Sequence, residues 1–114
     1  METQELIDAI TQWAHNRNLV HGSDCKSHTL KLMSEVGELA DNINKGADCR
    51  DDIGDCIVVL TILAAQKGYS INECLTISYN DIKDRKGIMY HGVFVKSTDA
   101  RYEAICAELR KKHV

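Results

Sequence analysis

Apolar positions recur at helical spacing through most of this chain. Leu6, Ile7, Ile10, Trp13 and Ala14 form one stripe, which predicts a helix over residues 3–17. Asn16, Asn18, His21, Gly22 and Ser23 then mark a loop. A second helix is expected from about Cys25 to Asn44, with Leu30, Met33, Val36, Leu39, Ala40 and Ile43 on its apolar face. Lys45 and Gly46 supply a C-terminal charge and a left-handed cap. Asp48 is placed to cap a third helix that runs to about Lys67 and stops at Gly68. After Asp55 this third helix is apolar nearly all round, so it is expected to be covered by a partner chain as well as by its own fold. Its β-branched run, Ile57-Val58-Val59, would also suit a strand, but its length and caps favour a helix.

Ser70-Ile71-Asn72-Glu73 reads as a capping box that opens a fourth helix. Ile71, Cys74, Leu75, Ile77, Ser78 and Ile82 are expected to face inward, with the end near Gly87. Residues 88–96 alternate weakly about a turn at His91-Gly92, as a short hairpin or an ordered arm. Ser97 to Asp99 then start a last helix over 97–113, carrying Tyr102, Ile105 and Leu109. Its Arg110, Lys111 and Lys112 suit the negative end of the helix dipole. The expected organisation is one all-α domain over 1–114, with a core at 3–87, an extended arm at 88–96 and the C-terminal helix. A chain with no proline and 5% aromatic residues fits that class better than a β-sandwich.

Composition narrows the partners. A formal charge of -3 offers no general attraction to nucleic acid or to an anionic membrane, so neither is expected. The longest apolar run, Cys56–Ala65, is interrupted by Thr61 and is too short to span a bilayer. The five cysteines are widely spaced, odd in number and lack a CxxC pair, which argues against both a disulfide framework and a zinc site. Read as reduced core thiols, they place the chain in the cytoplasm, and the start Met1-Glu2-Thr3-Gln4-Glu5 has no signal-peptide character. His15, His21, His28, His91 and His113 show no ligand spacing and read as surface or loop residues.

The chemistry lies in two pairs of acids. Glu35 and Glu38 sit in Ser34-Glu35-Val36-Gly37-Glu38-Leu39, and Asp52 and Asp55 in Asp52-Ile53-Gly54-Asp55-Cys56. At i,i+3 spacing both carboxylates of a pair share one helix face. Acids gathered at the edge of a core repel one another and are costly to desolvate unless a positive group compensates. A hard divalent cation shared with substrate phosphates would do so. Gly37 and Gly54, one inside each pair, each cost about 1 kcal/mol against alanine in a helix interior. Two such glycines predict a close approach by a ligand or a partner helix.

The motif Glu35-x-x-Glu38, followed by thirteen residues and then Asp52-x-x-Asp55, resembles the signature of the MazG-like all-α nucleotide pyrophosphohydrolases. The resemblance continues in Lys31-Leu32-Met33-Ser34-Glu35-Val36-Gly37-Glu38-Leu39-Ala40 and in Asp52-Ile53-Gly54-Asp55-Cys56-Ile57-Val58-Val59-Leu60. It extends to Tyr79-Asn80-Asp81-Ile82-Lys83-Asp84-Arg85-Lys86-Gly87 and Gly92-Val93-Phe94-Val95-Lys96, an ending similar to the short phage and bacterial members. Where the family usually has glutamate, this chain has Asp52, whose oxygens reach one methylene less far. That points to binding through water, or to Mn²⁺ in place of Mg²⁺.

The resemblance implies a four- to five-helix MazG-like bundle, in which the second and third helices run antiparallel. It implies an obligate homo-oligomer, a homodimer or tetramer, with residues of two subunits sharing the site. The activity implied is Mg²⁺-dependent hydrolysis of ribo- or deoxyribonucleoside triphosphates to a monophosphate and pyrophosphate, in the cytoplasm, or the host cytoplasm for a viral protein. Glu35, Glu38, Asp52 and Asp55 would hold the metal, and Glu38, with Glu35, would act on the attacking water. Lys31, Asn80, Lys83, Arg85 and Lys86 would meet the phosphates, and Trp13 would stack on the base. The alternative is a catalytically weak helical module that binds a nucleotide or a partner protein.

Overall fold

In a computed structural model the described residues are 1–112, so His113, the last residue of the expected final helix, lies outside them. The chain divides into two compact units, Met1–Thr76 and a second that begins at Ile77. Five helices and one short hairpin make up the elements, in the order α1 (Thr3–Asn16), α2 (Cys25–Asn44), α3 (Arg50–Lys67), α4 (Ile71–Ile82), β1 (Gly87–Tyr90), β2 (Val93–Lys96) and α5 (Tyr102–Lys112). The structure is therefore mostly helical. Among the described residues no helix is long and apolar enough to cross a membrane.

In the first unit α2 and α3 form a helical hairpin closed by residues 45–49, and α1 packs against α3. The caps explain the boundaries. Asp24 accepts a hydrogen bond from the Ser27 amide at 2.7 Å and starts α2. Gly46, at φ 69, lies just past the end of α2, and Gly68, at φ 75, caps α3 in the left-handed region. Asp48 acts one position earlier than expected. Cys49 is the N-cap of α3, while the Asp48 carboxylate accepts from the Arg50 amide and pairs with its guanidinium. The box at α4 is reciprocal, with the Ser70 amide donating to Glu73 at 2.9 Å and the Glu73 amide to Ser70 Oγ at 3.0 Å.

The core of this unit is small. Ala14, Val20 and Ile62 are buried together, flanked by Leu19, Val58 and Ala65. The Gln66 amide donates to the carbonyls of Leu19 and Val20, which ties the loop after α1 to the last turn of α3.

The inward face of α2 differs from the expected one. Its buried and half-buried positions are Cys25, His28, Leu32, Glu35, Leu39 and Asn42, a stripe at steps of three and four. Of the expected stripe only Leu39 is half-buried, while Leu30, Met33, Val36, Ala40 and Ile43 are exposed. The helix is turned by about one position, roughly 100°, which brings a carboxylate and an imidazole inward and leaves a row of large apolar side chains outside. On α3 the buried residues are Asp52, Val59, Thr61, Ile62 and Ala64, while Ile53, Ile57 and Leu60 are exposed. On α1 only Ala14 is buried, and Leu6 and Trp13 are exposed. Of the expected inward face of α4 only Ile71 is half-buried, and Cys74, Leu75, Ile77, Ser78 and Ile82 are exposed.

The second unit contains the antiparallel pair β1–β2, with Ile88 opposite Val95 and Met89 opposite Phe94. His91 at φ 48 and Gly92 at φ 78 make the two-residue turn, whose paired positive angles match the twist of the strands. The Phe94 ring lies over Gly87, filling the space a side chain would need there. Helix α5 packs on β1, with Ile105 and Val95 buried, and the Tyr90 hydroxyl donates to Glu108 at 2.8 Å. It starts at Tyr102 and not at 97–99, because the Asp99 carboxylate is taken up by the Arg101 amide and guanidinium in a preceding turn.

Candidate metal site

The α2–α3 hairpin brings the four acids of the two motifs to neighbouring helices. Glu35 and Asp52 are both buried, at 7% exposure, and Asp55 is half-buried, whereas Glu38 is exposed. Their grouping shows in their electrostatics. Burial pushes the Asp55 carboxyl above its usual value, and the negative charges of Asp51, Glu35 and Asp52 push it further, against a pull from Lys31. The Cys56 thiol rises for the same reasons, burial first and then Glu35, Asp55 and Asp52. Glu35 and Asp52 thus both lie within electrostatic reach of Asp55, in a place where negative charge is disfavoured.

Two protein groups meet this charge. The Lys31 ammonium sits 3.0 Å from Glu35 Oε1, one helical turn before it. That contact, with the further fields of Glu38 and Asp55, holds the ammonium above the usual lysine value. On the other side Asn42 Nδ2 donates to Asp52 Oδ2 at 2.8 Å. Asn42 was not singled out in the sequence, although it lies seven residues after Glu35 and so shares its face. His28 was read as a surface or loop residue, yet it is buried on the same face, and its Nδ1 has no hydrogen-bond partner.

One oxygen is left over. Glu35 Oε2 is buried without a hydrogen-bond partner, an arrangement that is costly for a carboxylate unless a further cation or donor joins it. The donor set is hard oxygen throughout, which suits Mg²⁺ or Mn²⁺. Among the described residues, however, no three acidic, histidine or cysteine side chains converge into a ready-made metal cage. Mg²⁺ does not require one, since it keeps several waters and is commonly held by one or two carboxylates together with substrate phosphates. The unpartnered oxygen and the hard donor set fit such an ion.

The remaining predicted residues fall elsewhere. Trp13 is on α1, with the Arg17 guanidinium 4.7 Å above its ring. That cation covers one face of the ring. Asn80 is in the last turn of α4, and Lys83, Arg85 and Lys86 follow it in the connection to β1. All four are exposed and belong to the second unit. Gly37 and Gly54 have open space around them: a side-chain carbon at either would meet nothing within 4 Å. Neither glycine accommodates a close approach inside this chain.

No known family profile matches the chain, and no solved structure matches it. Over 67 residues it is 48% identical to an uncharacterized 18.2 kDa protein in the rep-hol intergenic region of Haemophilus phage HP1. The match takes in 57% of this chain and 41% of that protein, so the chain spans about two-fifths of the relative's length.

Proposed function

We propose that this chain is a MazG-like, divalent-metal-dependent nucleoside triphosphate pyrophosphohydrolase, acting in the cytoplasm of a phage-infected or bacterial cell. The observation that carries the reading is the buried Glu35 carboxylate with one unpartnered oxygen, whose charge acts on Asp55 of the adjacent helix. Glu35, Glu38, Asp52 and Asp55 would hold Mg²⁺, with Mn²⁺ as a substitute. Bound there, the ion supplies Lewis acidity and neutralises charge on the phosphates.

The chain's own groups supply the rest. Glu38 is the exposed acid of the set, so it is the one free to orient and deprotonate a water for attack between the α- and β-phosphates. Asn42 fixes the Asp52 carboxylate, which steadies the shorter side chain found here in place of glutamate. Within the first unit Lys31 is an exposed cation suited to phosphate oxygens. Phosphoryl transfer asks mainly for positioning and charge neutralisation, which suits a site with no nucleophilic side chain.

A homodimer or tetramer belongs to this reading. Within the first unit Leu30, Met33, Val36 and Ile43 on α2, and Ile53, Ile57 and Leu60 on α3, are exposed. So much apolar surface on one small unit is more than monomers usually tolerate, and a second copy would cover it.

The test is pyrophosphate release from the eight common ribo- and deoxyribonucleoside triphosphates with Mg²⁺ or Mn²⁺, comparing wild type with Glu38→Gln and Glu35→Gln. Release that both variants lose supports the reading, and release from no nucleotide refutes it. A second reading, a nucleotide- or partner-binding module of weak activity, draws on the Lys31 and Asn42 contacts that already occupy two of the acids. Equal thermal stabilisation by nucleotide with and without metal would favour that module.

A further inference from the structure

The contact between Lys31 and Glu35 has an unusual distribution of solvent for a pair four residues apart on one helix. Such pairs ordinarily lie on a wet surface, with both ends exposed. Here the Glu35 side chain is 9% exposed and the Lys31 side chain 59%. The lysine therefore reaches from solvent onto a buried carboxylate and covers one of its two oxygens, leaving the other unpartnered. Three further features define what this contact can do. Lysine precedes glutamate, the weaker of the two orders for an i,i+4 pair, because each charge then opposes the helix dipole. The stem of Lys31 is largely in water, so releasing the ammonium uncovers little apolar surface. The fields of Glu38 and Asp55 also reach the same ammonium, so it balances more than one acid of the cluster.

We propose that Lys31 is a displaceable internal cation: its ammonium balances Glu35 in the metal-free protein, and an entering divalent cation displaces it toward solvent, where it becomes available to a phosphate. This rests on the metal-dependent reading above and deepens it. A single positive charge on a flexible stem is exchanged for a double charge that can use both oxygens of Glu35. The consequence is an order of events. Metal binds first against a weak internal competitor, and the released ammonium then adds to the attraction for an anionic substrate. By linkage, phosphate must tighten metal binding to the same degree, since it holds Lys31 away from the carboxylate. Without metal, the same lysine is engaged on Glu35 and contributes less to phosphate affinity.

The test uses the full chain and Mg²⁺ alone, titrated calorimetrically into wild type, Lys31→Met, Lys31→Arg and Lys45→Met. Circular dichroism confirms that each variant is folded. Lys45 caps the C-terminal end of α2 and forms no ion pair among the described residues, so its substitution removes the same charge without the contact. Lys31→Met is expected to tighten Mg²⁺ binding about two- to five-fold, the range within which exposed ion pairs compete. Lys31→Arg, which can keep the contact, and Lys45→Met are expected to stay near wild type.

A second readout follows the ammonium itself. Acetylation of Lys31 by acetic anhydride, measured by mass spectrometry relative to Lys45, should accelerate when Mg²⁺ is bound. Unchanged or weaker Mg²⁺ binding in Lys31→Met would overturn the displacement while leaving the metal reading intact. Equal tightening in Lys45→Met, or a Lys31 acetylation rate indifferent to Mg²⁺, would do the same. No Mg²⁺ bound by either wild type or Lys31→Met would overturn the metal reading and this inference together.

Discussion

Gly54 lies in the interior of α3, between Asp52 and Asp55, and a side-chain carbon placed on it would meet no atom within 4 Å. Substituting alanine therefore introduces no clash within the chain. It removes backbone freedom from the unfolded state and adds a good helix former. Glycine is less favourable than alanine by about 0.8–1.0 kcal/mol in a helix interior, so Gly54→Ala should stabilise an isolated chain by about that amount. Gly37 on α2 is equally open. The double variant should gain about 2 kcal/mol if the two sites add. Urea denaturation followed by circular dichroism reads the effect. With a slope of about 1–3 kcal/mol/M for a small protein, 1 kcal/mol moves the midpoint by roughly 0.3–1 M. The measurement belongs at a series of protein concentrations. The glycine is flanked by Ile53 and Ile57, both exposed, and a second copy packed on that face would meet the new methyl group. Stabilisation at every concentration would mean that nothing covers Gly54. Destabilisation in a dilute, monomeric sample would refute the reasoning from open space. Destabilisation that appears only as the protein associates would locate the interface at this glycine.

Substitutions at three further positions test other parts of the structure. Asn42→Ala leaves the buried Asp52 carboxylate without its 2.8 Å donor, and an unmet buried group costs about 1–3 kcal/mol; a urea midpoint indistinguishable from wild type would refute the contact. Asp55 has its carboxyl raised in the folded state by burial and by neighbouring acids, so the fold prefers it protonated, and its favourable contribution is lost as pH rises through that raised value. Asp55→Asn should accordingly raise the melting temperature of the metal-free protein at pH 7, flatten the decline above the usual carboxylate range, and weaken stabilisation by Mg²⁺; a lower melting temperature at pH 7 without metal would contradict this. Ile62→Ala, at the centre of the Ala14–Val20 cluster, should cost about 2–5 kcal/mol and Ile62→Val about 0.5–1.5 kcal/mol, and a loss under 1 kcal/mol for the alanine variant would place the core elsewhere.

The helices and their stops were legible because their signals are local. Gly46, Gly68 and the box at Ser70 act within a few residues, and each works as its sequence indicates. The face of each helix was less legible. A stripe drawn through the largest apolar residues of α2 selects Leu30, Met33, Val36 and Ile43, yet the chain turns His28, Leu32, Glu35, Leu39 and Asn42 inward. Pattern alone cannot distinguish a face that fills a chain's own core from a face left for another surface, because both are apolar at the same spacing. The acid pairs were visible from their spacing, but only one of their two bonding partners was. Lys31 could be placed on the face of Glu35 by counting four residues, but Asn42 meets Asp52 across two helices, a contact that no count along one helix reveals.

The Gln66 amide reaches the Leu19 and Val20 carbonyls across 47 and 46 residues of sequence, and this separation bears on the order in which the first unit assembles. The α2–α3 hairpin is closed by residues 45–49, so its contacts require only short loop closure and should form early. Seating α1 against α3 must close a much longer loop, a cost that grows with the logarithm of its length. The acids would then be gathered on a nascent hairpin before Ala14, Val20 and Ile62 meet. A transition state with α2–α3 contacts formed and the Gln66 contacts still open should follow: substitutions at Leu39 or Val59 would slow folding, whereas Gln66→Ala would mainly hasten unfolding. A cation that gathers Glu35 and Asp52 would on this view act on the speed of folding as well as on the final stability.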